Sequence, residues 1–240
     1  KIAATIQQQL LPKVMPQIKG LDLASGVIPA EEIGGDVYDF LKLSDEKVLF
    51  YLGDVTGHGV PAGIVSSIAS ALFYGYSTEP SLEKIIVEVN RVLKAKTLTN
   101  MFMTLCLMQW DVVSSKFSYV NAGHDQIIHY KAKTKTIELS LIGGIALGML
   151  PDISKLIKLQ ELNVEVGDYL VIYSDGIPEA WKNKDEMYGM ERLQNAIQNF
   201  GSDLMTSLAM KEAILSDVKQ FCGDYKQMDD ITIIVVKRTA

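Results

Sequence analysis

The sequence predicts an α+β protein in which antiparallel sheet is packed in layers with helices outside it. Three observations carry this. Helical periodicity is confined to blocks, one pair in the first half and one pair near the end. Short strand-like runs separated by turn residues fill the stretch between them. The two periods do not alternate as a βαβα chain would, which argues against a doubly wound parallel sheet. Two sheets packed together, with helices on the outside, would bury all of these faces. No repeat, low-complexity tract or Ser/Gly-rich linker interrupts the 240 residues. One domain is therefore expected at 16–240, preceded by a linker or switch helix within 1–15.

The elements follow in order. Ile2, Ile6 and Leu10 recur at helical spacing and stop before Pro12. This stripe either continues an upstream coiled coil or sensor region or is a frayed end; the chain opens on Lys1 with no signal-peptide pattern. Strands are expected at Leu21 to Ile28, Asp36 to Leu43 and Lys47 to Leu52. Pro61 can open a helix whose apolar face is Ile64, Val65, Ile68, Ala69, Leu72, Phe73 and Tyr76. Ser81 is a natural N-cap for a second helix bearing Leu82, Ile85, Ile86, Val89 and Val92. Strand-like runs then occupy Phe102 to Trp110, Lys116 to Asn121, Gln126 to Tyr130 and Thr136 to Leu141. Gly167-Asp168 is a turn signal before the apolar strand Tyr169 to Tyr173. Glu191 to Phe200 and Asp203 to Cys222 read as helices, the latter through Leu204, Leu208, Leu215, Val218 and Cys222. Ile231 to Val236 closes the chain as a strand.

Composition removes several function classes. Lys and Arg total 23 against 29 Asp and Glu, a formal charge of -6. That opposes nucleic-acid binding, which needs clustered cations to neutralise phosphates. No uninterrupted apolar run approaches the ~20 residues that span a bilayer, so no membrane segment is expected here. Two cysteines, Cys106 and Cys222, are too few for a disulfide framework or a cysteine zinc site and read as small core residues. A cytoplasmic domain fits this composition, although a longer protein carrying it could be membrane-tethered.

The informative residues are acids where apolar strands start or stop. Asp54 sits in Gly53-Asp54-Val55-Thr56-Gly57-His58-Gly59, Asp175 in Tyr173-Ser174-Asp175-Gly176, and Asp229 and Asp230 precede the last strand. Asp36 follows Gly34-Gly35, with Asp39 three residues on. If those strands are antiparallel neighbours, the carboxylates meet at one sheet edge. Gathering like charges is unfavourable unless a cation neutralises them. Oxygen-only ligands favour hard ions, Mg2+ or Mn2+, over zinc. Taken singly, each Asp could instead be a turn residue or helix cap.

The strings Pro29-Ala30, Gly34 to Phe40, Gly53 to Gly59, Asn121-Ala122-Gly123-His124, Tyr173 to Ile177 and Asp229-Asp230-Ile231-Thr232 occur in this order. Together they resemble the SpoIIE/RsbU-like branch of the metal-dependent (PPM) serine/threonine protein phosphatases, over about Ile6 to Val236. The resemblance implies an αββα sandwich with two central antiparallel sheets flanked by helices. It implies hydrolysis of phosphoserine or phosphothreonine on a protein, the usual bacterial substrate being a STAS-domain anti-anti-sigma factor in a partner-switching pathway. It also implies two divalent cations, Mn2+ or Mg2+. Asp54 would bridge them, the Val55 carbonyl would bind one, and Asp175 and Asp229 would hold the other. Asp36 would act directly or through water, Asp230 ranks below Asp229, and Asp39 would buttress a loop. Two such ions share and activate a water and offset transition-state charge, so no cysteine nucleophile is needed.

Thr56 stands where the wider class has a histidine, so a general acid is not transferable; His58, His124 and His129 read as structural. No arginine adjoins the first acidic motif, which leaves phosphate recognition to the metals. A diguanylate cyclase reading of Gly34-Gly35-Asp36 fails because Val37-Tyr38 replace the acid and phenylalanine that family wants. A catalytically silent phosphatase-like binding module remains the alternative, although Asp36, Asp54, Asp175 and Asp229 are all present. A homodimer is compatible with the N-terminal stripe, through which an upstream sensor could act on the helix after Asp54.

Overall fold

The computed structural model describes residues 2–98, 100–203 and 205–240, without the side chains of Ile2, Ala3, Ala4 and Ile6. The side chains of two members of the expected N-terminal stripe, Ile2 and Ile6, are therefore not described, and Leu204 lies outside the described residues. The chain runs α1 (Ile2–Leu10), β1 (Leu21–Ile28), β2 (Val37–Lys42), β3 (Lys47–Val55), α2 (Gly59–Tyr76) and α3 (Leu82–Lys96). Then come β4 (Met103–Asp111), β5 (Lys116–Ala122), β6 (Ile128–Lys131), β7 (Thr136–Leu139), β8 (Gln160–Leu162) and β9 (Tyr169–Tyr173). It closes with β10 (Trp181–Asn183), β11 (Glu186–Met187), α4 (Met190–Gly201), α5 (Ser207–Cys222) and β12 (Ile231–Arg238). Two compact units share these elements: residues 1–16, 31–124 and 142–163 form the first, and 17–30, 125–141 and 164–240 the second.

The first unit is a five-stranded antiparallel sheet, β2-β3-β4-β5-β8, with α1, α2 and α3. β3 is an interior strand and almost wholly buried, with Val48 to Leu52 an unbroken apolar run. α2 lays Ala62, Val65, Ala69 and Phe73 on this sheet, the Phe73 ring 4.4 Å from that of Tyr51. Burying each large apolar side chain of this kind is worth about 1.5–3 kcal/mol. Ser81 caps α3 as expected, its Oγ accepting from Lys84 N at 3.3 Å. Asn90, buried in α3, donates to Leu150 O and accepts from Gly148 N. It thereby fixes part of the long connection between β7 and β8.

The second unit is another five-stranded antiparallel sheet, β1-β12-β9-β6-β7, with α4, α5 and the small β10-β11 hairpin. α5 packs on β1 and β12 and α4 on β6 and β7, through Leu193, Ile197, Met210, Ile214 and Val218. Two antiparallel sheets with helices, expected from periodicity and resemblance, are thus present.

Some expectations need correction. β8, β10 and β11 have only two or three residues and no sequence signal. α5 starts at Ser207, not Asp203, because Thr206 is the cap, its Oγ1 accepting from Ala209 N. α2 starts at Gly59, two residues before Pro61, and Ile64 is 55% exposed instead of core-facing. α2 is also 18 residues long and, by length and composition alone, apolar enough to cross a membrane, a test that a core helix passes too.

Candidate active site

In the first unit, Asp54 is the penultimate residue of β3, inside the strand and opposite Thr104 of β4. The turn beyond it is tied down: Thr56 N donates to Phe102 O at 2.9 Å and Phe102 N to Thr56 Oγ1 at 3.0 Å. Asp36 is buried just before β2, whose Val37 pairs with Gly53. The register therefore brings the Asp36 segment beside the end of β3. Gly35 makes the approach tight, since a Cβ there would lie 2.6 Å from the Val55 carbonyl oxygen. A side chain at this position would be forced into that oxygen, so the approach requires glycine.

This segment is also held by α1. Gln7 Nε2 donates to Gly34 O at 2.6 Å and to Ser66 Oγ of α2 at 3.0 Å, while Gly34 N donates to Gln7 Oε1 at 3.2 Å. One side chain thus joins α1, the Gly34-Gly35-Asp36 loop and α2. Nothing in the sequence singled out Gln7, because the apolar stripe drew attention to its neighbours.

In the second unit, Asp175 follows β9 and Asp229 precedes β12, and these strands are antiparallel neighbours. Ser174 fastens the two ends: its Oγ donates to Asp230 O at 3.1 Å and accepts from Thr232 N at 2.9 Å. A Cβ on Gly176 would be driven into the Asp230 carbonyl oxygen, so the turn requires glycine. The Asp175 carboxyl is pushed up to about 6, chiefly by burial, then by the negative charges of Asp229, Glu179 and Asp125. Asp125 is itself raised, by desolvation and by Glu179. Asp125 and Glu179 were missed by sequence reasoning; the available signal was their position, directly after the Asn121-to-His124 turn and four residues after Asp175.

Asp230 is buried and its Oδ1 accepts from Ala30 N at 2.8 Å, whereas Asp229 is exposed. The idea that all the acids gather at one sheet edge fails: β3 belongs to one sheet, β9 and β12 to the other. Among the described residues no group of three or more His, Cys, Asp or Glu is close enough to hold a metal ion by itself.

The remaining candidates have these surroundings. His58 is exposed and meets Glu31 at 3.0 Å. His124 is buried, with Nδ1 3.0 Å from Thr104 Oγ1 and its backbone bracketed by the Asn121 amide. His129 of β6 lies 2.9 Å from Asp168 in a buried pair. Asp39 stands within β2 and accepts from Phe40 N, so it supports a strand, not a loop. Cys106 is a core residue with its thiol pushed up to about 12 by burial. Cys222 is only half buried.

The fold is that of PP2C-type phosphatase domains. The PP2C domain of SiaA from Pseudomonas aeruginosa superimposes with a TM-score of 0.84 at 18% identity, covering 98% of this chain and 93% of its own. RsbX, solved in complex with magnesium, gives a TM-score of 0.67 at 20% identity over 92% of this chain and 97% of its own. Phosphoserine phosphatase RsbU of Bacillus subtilis (strain 168) is 29% identical over 99% of this chain and 69% of its own length. Residues 44–239 match the family described as Stage II sporulation protein E (SpoIIE). The chain belongs to that family, within the SpoIIE/RsbU-like branch of the metal-dependent phosphoprotein phosphatases.

Proposed function

We propose that this chain hydrolyses phosphoserine or phosphothreonine on a regulatory protein, using divalent cations held by Asp36, Asp54, the Val55 carbonyl, Asp175 and Asp229. The observation that supports this most directly is the Asp175–Asp229 pair, two carboxylates kept near each other at a cost in charge repulsion that a cation would relieve. Every donor in the set is an oxygen, which suits Mn2+ or Mg2+. The close approach of Gly35 to the Val55 carbonyl keeps the Asp36 loop beside the end of β3, which suits the same use.

Two such cations, when bound, supply a water acidified enough to attack phosphorus and positive charge for the phosphoryl oxygens. The chain's own residues do the rest. β3 and its Thr56 tie hold Asp54 and Val55 in place, and Gln7 and Gly35 position the loop carrying Asp36. Ser174 and Gly176 hold Asp175 against Asp229, so the pair is preorganised. The cysteines take no part, and no histidine is assigned a proton.

The substrate we infer is a phosphorylated STAS-domain anti-anti-sigma protein in a cytoplasmic partner-switching pathway. Likeness to RsbU supports this. The Gln7 bridge supports control through α1 by an upstream sensor, with dimerisation as one means. The test is Mn2+-dependent hydrolysis of p-nitrophenyl phosphate and of a phosphorylated STAS protein. Asp54→Ala is expected to lower both at least 100-fold. A variant as active as the parent sinks the assignment; a parent that binds the phosphoprotein without turnover establishes the silent-module alternative.

A further inference from the structure

The second unit contains a cavity of about 270 Å³ whose wall includes Asp229 and Gly176, the immediate neighbour of Asp175. Its body is apolar, built by Leu215 and Val218 of α5, by Trp181 and by Ile231. Three large apolar side chains left at the surface gather on its rim: Ile28 (44% exposed), Tyr225 (38%) and Met228 (60%). Apolar groups grouped in this way beside a reacting centre mark a contact surface. The rim is also hydrogen-bonded. Gln227 Nε2 donates to Ile28 O at 2.7 Å and to Asp229 O at 2.8 Å, stapling the loop after α5 to the end of β1.

We propose that this cavity receives a large apolar side chain of the phosphoprotein substrate, close in sequence to the phosphorylated residue. The inference rests on the phosphatase reading and adds a specificity determinant to it. Size and charge select the occupant. A cavity of ~150 Å³ holds one benzene, so this one admits a leucine, methionine or phenylalanine side chain but not a folded element. Its border carries two exposed cations, Lys219 and Lys226, that can meet the negative charge of a phosphorylated segment, while its acids, Glu179 and Asp229, are among those that act on Asp175. Placement does the rest: with Asp229 in its wall, the cavity can seat a residue only a short span from a phosphate held at Asp175 and Asp229.

The probes are phosphoserine peptides identical except for leucine, phenylalanine or alanine at each position flanking the phosphoserine. Binding to the Mn2+-loaded chain is read by fluorescence anisotropy, turnover by phosphate release, and p-nitrophenyl phosphate serves as a reference without flanks. At one flank, leucine or phenylalanine should improve Kd and kcat/KM at least tenfold over alanine. Leu215→Trp, which fills the cavity, and Met228→Ala, which strips its rim and leaves the core alone, should both reduce that preference. Neither should change p-nitrophenyl phosphate hydrolysis more than twofold. The same rate and affinity for every peptide overturn the proposal, as does a preference that both variants retain. Self-association abolished by Leu215→Trp also overturns it, giving the cavity to a second copy of the chain. A flank preference in binding without any hydrolysis upholds the cavity and defeats the phosphatase reading; hydrolysis without preference does the reverse.

Discussion

Replacing Asp175 by asparagine keeps the shape and removes the charge that the second unit tolerates least. The carboxyl is raised from 3.8 to about 6 by burial and by Asp229, Glu179 and Asp125. Each pKa unit is worth about 1.4 kcal/mol, which sets a ceiling of about 3 kcal/mol. The group is partly exposed, and solvent screening reduces that to about 1–2 kcal/mol. The sign follows from linkage. The folded state holds this proton more tightly than the unfolded chain, so the contribution is complete below about pH 4 and is lost as pH rises through about 6. In metal-stripped protein, Asp175→Asn should therefore match the parent near pH 4 and exceed it by about 1–2 kcal/mol at pH 7. Urea unfolding at the two pH values measures this. A variant with the parent's pH slope would show that Asp175 is not held near its acidic neighbours. Cation affinity in the parent should also weaken below pH 6, because an entering cation must displace the Asp175 proton.

Other sites give separate tests. Gly176→Ala drives a Cβ into the Asp230 carbonyl and should cost about 1–3 kcal/mol in urea unfolding, together with lower Mn2+ activation; a neutral result would mean the turn can shift freely. Gln7→Ala removes the bridge between α1, Gly34 and Ser66, worth about 1–2 kcal/mol, and should speed amide exchange over residues 5–10 and at Gly34; unchanged exchange would dismiss the bridge. Asp168→Ala leaves the Ala132 and Glu165 amides and the His129 ring without their buried acceptor. It should cost about 2–4 kcal/mol by the same unfolding assay without altering the preference for any phosphopeptide.

Local physics explains which parts were readable from sequence. β9 and α3 fall where a continuous apolar run and a serine cap place them, because each signal lies within its own segment. β8, β10 and β11 are too short to show a period; β8 forms on the edge that β5 offers, and β10 and β11 pair with each other. The α2 stripe misled over Ile64 because that helix is apolar on more than one side, and period alone does not choose the buried face. The acids were found because they stand where apolar runs start or stop, with glycine beside Asp36, Asp54 and Asp175. Their division between sheets was not found, since strand pairing is decided by contacts remote in sequence. Asp125 and Glu179 escaped for the same reason: their significance lies in the carboxylates they face.

Folding alone gives no reason to place Asp175 beside Asp229. Mutual repulsion and burial both oppose ionisation of Asp175. The neighbouring backbone shows how the arrangement persists. Ser174 spends both of its hydrogen-bonding directions on the β12 end, and Gly176 forgoes a side chain so that its backbone can lie against Asp230. These contacts fix the ends of β9 and β12 whatever the charge on the two acids. The unfavourable charge is therefore carried by a frame that does not relax to avoid it, as a cation site ready before its ion arrives requires. An arrangement meant only to close a turn would need one of these aspartates; keeping both, against their own electrostatics, argues for chemistry at this end of the sheet.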